Sequence, residues 1–279
     1  MTEHVAPTDR DLELIRARTR ELASALERLA QHIWAAPTDE SSITGARLAS
    51  EANRPGFLSN SRLAREATSA TLIATFSGVD HTRAAIRELL GRRTHVAIAT
   101  LTRAALEAFA KAYHLLTAAD PQEYADRYIV LLSQELQHPF RNSQFRDHVG
   151  ELVDNQVYKA WIIAELGRLN MKLGAGSTEQ TKIQALLSHL DGAKVDPNIY
   201  SQLSAIAHSA TSAIGMFVVD KERPTFGMLQ GIATEYSAYL LTSLWSVGDL
   251  LAETNNVTGP PLERWKQACD RALRAALES

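Results

Sequence analysis

Residues 198–211, NIYSQLSAIAHSAT, place Tyr200, Ser204 and His208 four residues apart. On a helix of 100° per residue these three and Thr211 fall within about 80° of one another, so a phenol, a hydroxyl and an imidazole share one line. Such a line suits acid–base chemistry: an imidazole exchanges a proton near neutral pH, while phenol and hydroxyl hold a substrate by hydrogen bonds. A second line lies in VAIATLTRAALEAFAKAYHLL, where Arg103 and Glu107 stand one turn apart and His114 follows. Arg103 would hold an anionic group there, with Glu107 fixing the orientation of the guanidinium. His208, Glu107 and Tyr200 are therefore the candidate catalytic residues, and Arg103 and Ser204 the candidate substrate-binding residues.

Both lines need elements that bring them together. Ile199, Leu203, Ile206, Ala210, Ile214 and Phe217 form a core stripe beside the Tyr–Ser–His line, so that line borders the core. The segment 94–117 carries few charges among Ala, Leu, Ile, Val, Thr and Phe, which marks a central helix. Charges on a buried helix require partners, because an unpaired buried ion is very costly. An Arg–Glu pair meeting a Tyr–Ser–His line would satisfy those groups and leave a polar pocket between helices 94–117 and 196–218. The plainer reading is an i,i+4 surface pair worth a few tenths of a kcal/mol, with Tyr and His satisfying backbone groups.

The rest of the chain repeats its apolar residues at three- and four-residue intervals, with no alternating strand pattern. The expected fold is all-α: one compact bundle of about nine helices forming a single domain over residues 1–279. Residues 1–8 are expected to be disordered and 36–60 to form a long loop. A helix is expected from about 61 to 90, bent near Gly78, and another after Asp120-Pro121-Gln122-Glu123, stopped by Pro139. Residues 143–173 read as helical, ended by Gly174 and Gly176, with Ser177 and Gln180 as a capping box for the next helix. Asp196-Pro197 opens the helix of the first line, and helices over 224–253 and 260–278 complete the chain.

Composition narrows the function classes. The 29 basic and 32 acidic residues give a net charge of −3, so no global field draws nucleic acid or an anionic membrane. Cys269 is the only cysteine, which excludes an internal disulfide and a cysteine-based zinc cluster. The apolar run AYLLTSLWSVGDLLA is too short and too interrupted to span a bilayer. These features lead us to expect a cytoplasmic protein that binds a small molecule, with no membrane partner, no cofactor and no metal, and with a homodimer as one arrangement.

The combination LTRAALEAFAKAYHLL, then DRY, then YSQLSAIAHS resembles bacterial helical families of unknown function. These carry an Arg-x-x-x-Glu helix and a later Tyr-x-x-x-Ser-x-x-x-His helix. The resemblance covers roughly residues 80–218 and adds Arg127 to Arg103, Glu107, Tyr200, Ser204 and His208 as positions of interest. Arg127 accordingly joins the candidate substrate-binding residues. Such families are broadly similar to the HEPN superfamily of toxin–antitoxin and phage-defence systems, whose nucleases carry Arg, four to six residues, then His. In RNSQFRDH the corresponding pair would be Arg141 and His148. That resemblance implies an alternative: an RNA-targeting or interaction module, dimeric, with the pair at a shared basic cleft. A structural adaptor is a third reading.

Other signatures are weaker. Asp80-His81, Glu107, His114 and His208 could supply imidazole and carboxylate to a metal, yet no His-Glu-x-x-His is present. There is no phosphate loop and no Gly-x-Ser-x-Gly elbow to activate Ser204. Trp34, Trp161, Trp245 and Trp265 are expected in the core rather than on a base-stacking platform.

Overall fold

The computed structural model describes residues 9–51, 63–91, 96–135, 144–146, 152–172, 176–190, 196–217 and 230–278. Those residues form helices α1 (Asp9–Ala35), α2 (Ile43–Glu51), α3 (Leu63–Gly91), α4 (Val96–Leu116) and α5 (Pro121–Glu135), followed by strands β1 (Gln144–Arg146) and β2 (Leu152–Asp154). Helices α6 (Asn155–Arg168), α7 (Glu179–Leu187), α8 (Ile199–Ala207), α9 (Thr211–Ile214), α10 (Gln230–Thr254) and α11 (Pro260–Glu278) follow, with a 3-10 turn at Gly215–Phe217. The fold is all-α, with eleven helices among the described residues where the periodicity predicted about nine. No described helix is long and apolar enough to cross a membrane.

Helix α4 is the centre. It packs on α3 most extensively and also on α5, α7, α8 and α10. Its apolar stripe, including Ile98, Leu106 and Phe109, joins the main core with Leu22 and Leu26 of α1, Leu203 of α8 and Leu244 of α10. A second core gathers Tyr124 and Ile129 of α5 with Trp161 and Ile162 of α6. Leu63 and Ala67 of α3 and Leu115 of α4 enter this second core, so the α3–α4 pair spans both. Gly78 does not break α3. A Cβ at that position would sit within 2.6–2.8 Å of the Phe109 ring, so glycine lets the two helices close around a fully buried aromatic.

Four local expectations are corrected. Residues 36–60 are not one loop, because Ile43–Glu51 is helical: Ser42 Oγ accepts the Gly45 N–H at 2.9 Å and so caps α2. The start of the 143–173 stretch is not helix but an antiparallel ladder, Gln144 opposite Asp154, and Asp154 then caps α6 by accepting from Gln156 and Val157. The cap of α7 is Thr178, whose side chain accepts the Thr181 N–H, rather than Ser177. The helix predicted over 196–218 ends at Ala207.

That last stop has a definite cause. The Ser209 N–H bonds to the Ile206 carbonyl and the Ala210 N–H to the Ala205 carbonyl, with Ser209 at φ 59°. This is the left-handed helix ending usually built on glycine. Asn170 (φ 53°) and Asn256 (φ 49°) end α6 and α10 by the same pair of bonds, so α6 stops before Gly174 and Gly176. Residues 1–8, Pro139 and Gly174 lie outside the described residues.

Helix α11 is held to α10 through one carboxylate. Asp249 accepts both indole N–H groups, Trp265 Nε1 on Oδ1 and Trp245 Nε1 on Oδ2, each at 2.8 Å. Gly248 lies directly under Trp265, where a Cβ would meet the ring at 2.2 Å. Gly248→Ala should therefore lower unfolding stability by about 1–3 kcal/mol in urea titration through overpacking. Gly167→Ala on α6, where a Cβ meets nothing within 4 Å, should raise it by about 0.5 kcal/mol.

Candidate functional site

The two polar lines meet. Helix α8 lays Ile199, Leu203 and Ile206 into the main core beside α4, which turns Tyr200 and the helix end at His208 toward Arg103. Arg103 Nε donates to Glu107 Oε1 at 2.8 Å, Nη2 donates to the Tyr200 hydroxyl at 3.3 Å, and Nη1 lies 3.5 Å from His208 Nε2. The guanidinium carbon is 5.2 Å from the Tyr200 ring centre, a cation–π approach. A guanidinium can only donate, so this contact is a hydrogen bond only where Nε2 carries the ring's lone pair. Because α8 ends at Ala207, His208 is its capping residue and is exposed, while Arg103, Glu107 and Tyr200 are half-buried.

The electrostatics keep these groups in defined states. Burial works against the charge on Arg103, but the Glu107 carboxylate and the Tyr200 hydroxyl outweigh it and hold its pKa above the ordinary value. Burial and then the Glu107 charge raise the Tyr200 pKa, with Arg103 opposing, so the phenol stays a donor. Ser204 lies between Tyr200 and His208 on the same line, half-buried, and its hydroxyl has no hydrogen bond among the described residues.

Arg127 belongs elsewhere. It donates to Glu123 Oε1 through Nε and Nη2, and through Nη1 to the His114 carbonyl and the Thr117 hydroxyl. Residue 114 lies about 16 Å along the axis from residue 103, so Arg127 closes the far end of α4 rather than joining the site. Arg141 and His148 lie outside the described residues; Gln144–Arg146, between them in the sequence, are extended. Among the described residues no three His, Cys, Asp or Glu side chains gather where they could hold a metal ion.

One wall of the site was not foreseen. Glu107 also lines a cavity of about 440 Å³ between α3, α4 and α5, together with His81, Lys111, Tyr128 and Glu135. Lys111 Nζ bridges to Glu135 Oε1 at 3.0 Å. Burial opposes the Lys111 charge, but Glu135 and the charges of Glu179 and Glu107 hold its pKa above the ordinary value. Lys111 extends the Arg103–Glu107 spacing by one more turn, which was the available signal; the contribution of α5 had none.

Comparison of the chain with protein-family models, with curated proteins and with solved structures gives no match.

His114, near the end of α4, carries the clearest pH signature. Burial first, then the charges of Arg127 and Lys182 with Glu123 opposing, push its pKa from 6.5 down to about 4. A base whose folded pKa is depressed is neutral in the fold and protonated more readily unfolded, so its contribution is intact above pH 6.5 and is lost as pH falls from 6.5 toward about 4. Thermal or urea unfolding of His114→Gln should therefore lose less stability than the parent across that window, by up to about 3 kcal/mol. Parallel pH profiles would contradict the assignment.

Proposed function

We propose that the seam between α4 and α8 binds a small polar molecule carrying an anionic group, and that His208 serves it as a base. The observation that carries this reading is the uneven engagement of Arg103. Its bond to Glu107 on its own helix is short, at 2.8 Å, while its contacts across to Tyr200 and His208 are long, at 3.3 and 3.5 Å. The guanidinium is thus oriented from behind and under-engaged in front, the state in which polar groups await a ligand that tightens them. An anionic oxygen placed there receives N–H donors from Arg103 and the O–H of Tyr200. Bidentate recognition of carboxylate or phosphate is the strength of arginine.

The remaining groups extend the same chemistry. An anionic group that draws Arg103 onto itself would release the lone pair of His208 Nε2 to face a ligand hydrogen, and the free Ser204 hydroxyl would orient a further polar atom. Glu107 connects this seam to the 440 Å³ cavity, which gives the body of a small ligand a place beside its anchored end.

Native mass spectrometry of gently purified protein, followed by calorimetric titration with small carboxylates and phosphate monoesters, tests the reading. Arg103→Ala should weaken binding at least about tenfold, the worth of a hydrogen bond to a charged group. His208→Ala should remove any turnover. Unchanged binding and turnover in both variants, with helical circular dichroism retained, would refute the assignment.

A further inference from the structure

A larger cavity, of about 680 Å³, lies on a different side of α3, where the ends of α1 and α10 meet the start of α2. It is separate from the seam: Arg65, Ser69 and Leu72 of α3 line it, whereas Ile73, Ser77 and His81 line the 440 Å³ cavity. Its volume is in the range of sites that enclose a nucleotide-sized ligand.

The walls are built and cross-tied. Asn256, in its left-handed conformation at the end of α10, donates from Nδ2 to Asp39 Oδ2 at 3.2 Å and to Ser41 Oγ at 3.3 Å. Asp39 accepts the Ser41 N–H and hydroxyl on its other oxygen, and these hydrogen bonds from Ser41 and Asn256 keep its carboxyl below the usual range. The Asp39 charge is therefore committed to holding the wall. Arg65 differs: it lines the cavity and has no hydrogen bond or ion pair among the described residues. Among the described lining residues, Asp39 is tied into the wall by neutral donors and Arg65 is the charge left without a bond.

The apolar part is equally specific. Leu72 and Val257 are buried at the cavity wall, while Trp34 stands 51% exposed. Phe76 contacts the Trp34 ring edge-on, with centroids 6.4 Å apart, so the indole is supported yet open. An exposed, supported indole and a guanidinium with no partner among the described residues, lining one cavity, suit a flat ring joined to a negative group. Ring stacking supplies contact area, and the guanidinium supplies a bidentate anchor.

We propose that this second cavity binds a planar aromatic or heteroaromatic ring bearing a carboxylate or phosphate, with the ring against Trp34 and the anion on Arg65. The site is independent of the α4–α8 seam.

Titration with adenosine monophosphate and with 1-naphthoate, each beside its uncharged counterpart (adenosine, 1-naphthamide), tests it, read by calorimetry and by the Trp34 indole N–H resonance. At least one anion should saturate below about 1 mM, shift the Trp34 resonance and bind about tenfold or more tightly than its uncharged counterpart. The phosphate and carboxylate arms identify which anion is preferred. Arg65→Gln, at an exposed residue with no partner among the described residues, should remove the advantage of the charged form. Absence of saturable binding by either anion, binding that leaves the Trp34 resonance in place, or an unchanged preference in Arg65→Gln would each overturn the proposal.

Discussion

Helix α4 must be buried, and it is charged. It packs on five other helices and contributes Phe109, Leu106 and Ala110 to the main core, yet carries Arg103, Glu107, Lys111 and His114 along its length. Charged groups at a helix seam need partners from across it, because desolvation without compensation exceeds what any single contact returns. Two of its neighbours supply them: α8 brings Tyr200 and His208, and α5 brings Glu135 and also carries Arg127 to the last carbonyls. Arg47 of α2, itself buried, adds bonds of 3.0 and 3.1 Å to the carbonyls of Leu116 and Ala118. The end of a buried helix leaves such carbonyls without intrahelical partners, and two arginines from two helices satisfy them.

This constraint divides α4 into two regions. Its end near residue 114 is closed: arginines fill it, His114 is held neutral, and every contact serves the fold. Its middle is open on two sides, toward the exposed His208 and toward the cavity behind Glu107. The α3–α4 pair can frame a cavity because Gly78 lets Phe109 fill the gap between the helices and fixes their spacing. Rigid helices around an incompletely engaged arginine are the arrangement that a preorganised binding site requires.

Much of the architecture was legible because periodicity reports burial directly. The all-α class and the central standing of the 94–117 segment follow from apolar spacing, whereas spacing on two separate helices leaves open whether the Arg103–Glu107 line faces the Tyr200–His208 line, and only the packing of α8 on α4 brings them together. What escaped did so for physical reasons. The end of α8 at Ala207 carries no glycine, since Ser209 adopts the left-handed conformation itself. Helix α2 is nine residues long and depends on the Ser42 cap and on Gly45, where a Cβ would strike the Asp39 carbonyl at 2.3 Å. The place of Arg127 turned on which end of α4 faces α5, which sequence spacing leaves open. The larger cavity draws on Trp34, Arg65 and Asn256, positions whose convergence no local pattern encodes.

On the proposed function, the Arg103–Glu107 pair is retained for a ligand and not for the fold. Replacing a paired charge by apolar residues of similar size is neutral or stabilising when the pair has no structural task. The most direct measurement is the urea unfolding free energy of the double variant Arg103→Met, Glu107→Leu against the parent. Stability equal to or above that of the parent is expected. A loss of about 3 kcal/mol or more would mean that the network holds α8 to α4, and would contradict it.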